Sequence, residues 1–82
     1  MSHWTNLNGQ IISKKLSVKK IVKSVLDGED WVGEFYKDNK FSIRFEQDSE
    51  KSCQTIKKII EWAKSRDTDC RISLESYIPW KT

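Results

Sequence analysis

DWVGEFYKDNKFSIRFE, residues 30–46, is the stretch on which the fold turns. In its second half Phe41, Ile43 and Phe45 alternate with Ser42, Arg44 and Glu46, the period-2 pattern of a strand with one buried face. The first half offers two competing sets: Trp31, Gly33 and Phe35, or Val32, Glu34 and Tyr36. Register decides between them, because a slip of one residue turns a strand over. A two-residue Asp38-Asn39 turn sets Tyr36 opposite Phe41 and sends Glu34 inward. A loop of about three or five residues places Trp31 and Phe35 beside the phenylalanines and leaves Val32 and Tyr36 facing outward. Burying an unpaired carboxylate is costly. A β-hairpin with an odd loop is therefore expected.

On the N-terminal side, Val18, Ile21, Val22, Val25 and Leu26 follow the i, i+3, i+4 spacing of a helix with one apolar stripe. Ser17 suits its N-cap and Gly28 its left-handed C-terminal position. On the C-terminal side a second helix is expected from about Ser49 to Arg66. Its inner stripe reads Cys53, Ile56, Ile59, Ile60 and Ala63, with Trp62 at the margin and Asp48 or Ser49 as cap. Cys70, Ile72 and Leu74 then alternate with Arg71, Ser73 and Glu75 in a last strand that Pro79 ends. These elements make an α+β domain with two amphipathic helices on one face of a small, mostly antiparallel sheet. The order is α-β-β-α-β. If residues 9–13 add a strand it becomes β-α-β-β-α-β, the ferredoxin-like arrangement. Residues 1–82 are expected to form one domain, with 1–8 a flexible or loosely packed N-terminal segment.

A core this small limits what the chain can do. At 82 residues it buries roughly 60–65% of its unfolded surface, and deep pockets need more wall than that. Catalytic groups are scarce as well. The single histidine is His3, and Cys53 and Cys70 lie 17 apart with no CxxC spacing. Neither a metal site nor a nucleophile–histidine pair is expected, and the cysteines read as reduced core residues. Glu29, Asp30, Asp48 and Glu50 gather near the open end of the hairpin. Acids before a strand or in a helix's first turn are usually caps and solubilising groups. Gly9, Gly28 and Gly33 are isolated, so no phosphate loop and no cofactor is expected. The reading is a protein that is not an enzyme.

Charge is segregated along the chain: residues 1–24 carry five lysines and no acid, residues 25–50 eight acids and three bases, and residues 51–82 seven bases and four acids. Two candidate binding surfaces follow. Lys14, Lys15, Lys19, Lys20 and Lys23 form a basic segment able to attract phosphates or an acidic protein patch. Val32, Tyr36 and Tyr77 are the apolar groups expected outside the core, able to stack on bases or to bury against a partner. The tail ending in Trp80 is expected to tuck over the sheet, with docking on another subunit as the alternative. The first expectation is a regulatory or inhibitory protein acting on another protein, host or regulatory target. The alternative is a nucleic-acid-binding module using the basic first helix and the aromatic sheet face. Homodimerisation through a free edge of the last strand is a further expectation. No apolar run reaches the roughly 20 residues of a membrane span. Met1 to Asn6 lack the layout of a secretory signal, so no membrane contact and a cytoplasmic location are expected.

Two resemblances bear on these expectations. Lys40-Phe41-Ser42-Ile43-Arg44-Phe45 resembles the third strand of the RNA-recognition module, which shares the β-α-β-β-α-β order. The likeness covers six residues, lacks the glycine and has no aromatic on the first strand. The lysine- and isoleucine-rich, tryptophan-bearing make-up resembles that of small accessory proteins encoded by large DNA phages. That likeness is compositional and identifies no family.

Overall fold

The computed structural model describes residues 4–79. Strand β1 (Thr5–Ile12) leads into helix α1 (Val18–Val25), then β2 (Trp31–Tyr36), β3 (Lys40–Phe45), helix α2 (Ser49–Arg66) and β4 (Arg71–Ile78). The sheet order is β2-β3-β1-β4 with every neighbouring pair antiparallel. This is the ferredoxin-like, split-βαβ arrangement with two helices on one face. Phe45, Leu7, Ile11, Ile21, Leu26 and Ile43 are the largest side chains fully closed off between the layers. Each contributes roughly 1.5–3 kcal/mol by leaving water.

The hairpin takes the odd loop. Trp31 faces Phe45, Gly33 faces Ile43 and Phe35 faces Phe41, with Lys37–Asn39 as the three-residue connection. Asp38 (φ 63°) and Asn39 (φ 58°) both adopt the left-handed conformation, which short polar side chains tolerate better than most. Asn39 does more than turn the chain. Its Oδ1 accepts from the Val18 amide at 3.3 Å, and its Nδ2 donates to the Leu16 carbonyl at 2.9 Å. The start of α1 is thus capped from the hairpin, while the expected cap, Ser17, makes no side-chain cap bond. In α2 Asp48 is the cap, accepting from the Lys51 amide at 2.8 Å.

The first strand is longer than the sequence implies. Residues 5–8, expected to be loosely held, form the first half of a central strand, with Thr5 and Leu7 buried. The inward set reads Thr5, Leu7, Gly9 and Ile11, too polar and too small to announce itself. Tertiary contacts account for both weak members. Thr5 Oγ1 donates to the Gln47 carbonyl at 2.7 Å. A Cβ on Gly9 would lie 2.6 Å from the Ser73 carbonyl oxygen, so β4 approaches as closely as it does only because that position is bare.

Two further corrections concern α2 and β4. Cys53 is exposed, and the inner stripe of α2 is Ser52, Thr55, Ile56, Ile59 and Ala63. The stripe begins with hydroxyls because the first turns lie over polar groups: Thr55 Oγ1 donates to Gln47 Oε1 at 2.6 Å, and the Ser52 and Tyr77 hydroxyls share a 2.5 Å bond. In β4, Gly9 pairs with Leu74 but Asn8 pairs with Ser76, leaving Glu75 as the extra residue of a β-bulge. One extra residue reverses the alternation beyond it. Tyr77, expected to face outward, therefore pairs with Leu7 and packs against the core under the start of α2.

Candidate binding surfaces

The helices cover one face of the sheet and leave the other open. Its centre comes from β1 and β3, where the register sets Asn6 opposite Arg44, Asn8 opposite Ser42 and Gln10 opposite Lys40. β2 adds Val32, Glu34 and Tyr36 beside those three rows. The centre is polar and tied together locally. Asn8 Nδ2 donates to Ser76 Oγ at 2.8 Å, and Gln10 Nε2 to the Asp38 carbonyl at 3.0 Å. Asn8 Oδ1 is enclosed without a partner among the described residues. A shallow concavity on this face is lined by Val32, Gly33, Glu34, Ser42 and Arg44.

Apolar groups stand around this polar centre. Ile12, Val32, Tyr36 and Ile78 are each more than half exposed, at 52–61%, whereas Leu74, 43% exposed, pairs with the inward-facing Gly9 and lies on the helix side. All five belong to strands; neither helix exposes a large apolar side chain to that degree. Tyr36 donates its hydroxyl to the Glu34 carboxylate two residues away. That hydrogen bond is the main reason the Tyr36 phenol is held above its ordinary pKa. The odd loop thus places Val32 and Tyr36 as the sequence reading expects. Tyr77 is absent from this face, and Trp80 lies outside the described residues. Ile12 and Ile78, missed in the sequence, are carried here by the full length of β1 and by the bulge in β4.

The lysines lie elsewhere. Lys19, Lys20 and Lys23 are exposed on α1, whose opposite stripe of Val18, Ile21 and Val22 packs on the sheet, so they belong to the helical side of the molecule. Lys14 and Lys15 are exposed in the β1–α1 connection, lining a hollow with Ile12, Ser13, Asp67 and Asp69. The basic helix and the aromatic sheet face therefore point in opposite directions and form no single surface.

Three smaller clusters complete the picture. Ser13 Oγ donates to Asp67 Oδ2 at 2.6 Å and accepts from the Lys15 and Leu16 amides. The Ser13 bond is the leading reason the Asp67 carboxyl is held below its ordinary pKa. Arg66 stacks on the Trp62 ring at 3.7 Å in a groove shared with Ser24, Val25, Lys58 and Glu61. At the start of α2, burial above all and then the Cys53 contact raise the Tyr77 phenol, while the Ser52 hydrogen bond opposes them. Of the acids near the hairpin's open end, Glu29 reaches α2 through its ion pair with Lys51 at 3.1 Å, while the Asp30 carbonyl accepts from the Glu46 amide within the hairpin. Among the described residues no three His, Cys, Asp or Glu side chains are grouped to hold a metal ion. None of their helices is long and apolar enough to cross a membrane.

No family model matches this chain, and no curated protein or solved structure is detectably similar to it.

Proposed function

We propose that this is a small non-enzymatic regulatory or inhibitory protein that works by pressing the open face of its sheet against another protein. One observation carries the reading: among the described residues, four of the five exposed large apolar side chains, Ile12, Val32, Tyr36 and Ile78, face the open side of the sheet, while the outer faces of the helices carry lysines and other polar groups. Taken as a whole, a protein interface is about as apolar as ordinary surface, with Tyr and Arg enriched. A face that mixes Val32, Tyr36, Ile12 and Ile78 with Arg44 and uncharged polar groups suits that overall composition. Two free cysteines, one exposed and one buried, suit a reducing compartment such as the cytoplasm.

A second reading, nucleic-acid binding, draws on the lysines of α1 alone, since the sheet face lies on the other side. One experiment separates the two. Tagged wild type, a Val32→Lys/Ile78→Lys variant and a Lys19→Glu/Lys20→Glu/Lys23→Glu variant are used to capture partners, with and without nuclease. Protein contact through the sheet predicts a stoichiometric, nuclease-resistant partner held by wild type and the helix variant and lost from the sheet variant. Capture that disappears with nuclease, weakens steeply with salt and fails for the helix variant supports the second reading. A partner retained by the sheet variant refutes the first.

A further inference from the structure

We infer that β2 is the self-association edge of this protein, pairing antiparallel with β2 of a second copy about a two-fold axis at Gly33. The first observation is which backbone groups are free. The Glu46 amide donates to the Asp30 carbonyl, and antiparallel strands alternate between bonded and non-bonded pairs. Val32, Glu34 and Tyr36 therefore exchange hydrogen bonds with β3. The N–H and C=O groups of Trp31, Gly33 and Phe35 point away from the sheet. Centred on Gly33, a two-fold axis sets Trp31 opposite Phe35 of the second copy, Gly33 opposite Gly33, and Phe35 opposite Trp31. Every outward-pointing group of the strand then finds a partner.

The side chains fit the same register. Trp31 and Phe35 already meet edge to face, with ring centroids 6.3 Å apart. A Cβ on Gly33 would lie 2.9 Å from the Trp31 ring and 3.3 Å from the Phe35 ring, so these two rings close over a bare position. Two such pairs around the axis make an aromatic cluster on the helix side. Just beyond the strand, the register carries Glu29 toward Lys37 of the second copy, and Lys37 toward its Glu29. A symmetric contact needs this kind of self-complementarity, in which i meets j and j meets i. On the open face, Val32 and Tyr36 move from the rim of a four-stranded sheet to the middle of one twice as wide.

The contact is short for a stable interface, so a dissociation constant on the order of 10–100 μM is expected. Sedimentation over the range from about 5 μM to 1 mM tests for the dimer, and amide exchange at both ends of that range locates it. The expected result is a concentration-dependent gain in protection at Trp31, Gly33 and Phe35, with Val32, Glu34 and Tyr36 protected throughout. Lys37→Glu sets like charges opposite each other and weakens association roughly tenfold, from the size of surface ion pairs lost and reversed. Glu29 already holds Lys51 at 3.1 Å, so the compensating change is Glu29→Lys/Lys37→Glu/Lys51→Glu, which keeps that pair with its sign reversed and restores association. None of the three side chains belongs to the core, so no variant depends on refolding it. A monomer at every concentration overturns the inference, as does a dimer whose protection appears on β4. A dimer indifferent to Lys37→Glu overturns the register. Protection at Trp31, Gly33 and Phe35 that appears only when a different protein is added assigns the edge to that protein instead.

Discussion

Strands β2 and β4 form the two margins of one sheet and are built in opposite ways. β4 runs for eight residues, is broken by the bulge at Glu75, carries Arg71 and Glu75, and gives way to Pro79. β2 is six residues long, pairs with β3 without a shift of register, and bears one charge, Glu34, among Trp31, Val32, Phe35 and Tyr36. Bulges, charges and prolines are the devices that keep a sheet edge from acquiring another strand. The β4 margin has all three and β2 has little of any. Edge-to-edge pairing therefore belongs on the β2 side, while β4 is committed to holding Tyr77 under α2.

The sharpest way to break this contrast is at its two glycines. Gly9→Ala drives a Cβ into the Ser73 backbone oxygen, so β4 must move, and a loss of roughly 2–3 kcal/mol is expected in denaturant unfolding. Gly33→Ala meets ring and methyl carbons that can shift, and a loss of about 1 kcal/mol is expected. Equal losses would show that β2 is as rigidly packed as β4. At the β2 turn, Asn39→Ala removes both bonds to the start of α1 and a residue suited to left-handed backbone, at a cost of about 1–2 kcal/mol. A change under a few tenths of a kcal/mol would mean the turn does not hold the helix.

On the β4 side, Tyr77→Phe removes the hydroxyl bond to Ser52 and is expected to cost about 1 kcal/mol by thermal or chemical unfolding. Deleting Glu75 probes the bulge without disturbing Tyr77, because Leu74, Ser76 and Tyr77 then face Gly9, Asn8 and Leu7 in regular alternation. The straightened margin should associate more readily than wild type in sedimentation. Unchanged behaviour would mean that the charges and Pro79 protect the edge without help from the bulge. The smallest effect concerns pH at the start of β4. Asp67 is held below its ordinary pKa, so its contribution is complete above about pH 4 and is lost as pH falls through the depressed folded value. Ser13→Ala removes the leading cause and should flatten that acid-side decline in a pH series of unfolding curves. An identical decline in both proteins would place its origin elsewhere.

Some of the molecule was legible in its residues. The apolar spacing of 18–26 and of 56–63 announces two helices, and Phe41, Ile43 and Phe45 announce a half-buried strand. The penalty for burying Glu34 selects the odd hairpin loop and so places Val32 and Tyr36 on the open face. Other features carried no signal in the chain itself. Thr5 and Gly9 are unpromising strand residues until Gln47 and Ser73 arrive beside them. Ser17 resembles a cap, but Asn39 from 22 positions away takes the helix start. Cys53 resembles a core position until the hydroxyls of Ser52, Thr55 and Tyr77 claim that side of α2.

By itself, then, the sequence determined the element types, the hairpin and the α+β class, because periodicity and local backbone preference act within a few residues. Tertiary structure decided the length of β1, the direction of Tyr77 and the separation of the lysines from the sheet face. Each of these depends on groups distant along the chain meeting at one point. A single inserted residue, Glu75, is enough to exchange inside for outside in the last strand. No local pattern around Glu75 marks it as the extra one; it is extra only because β1, sixty-odd residues earlier, supplies one position fewer for β4 to face.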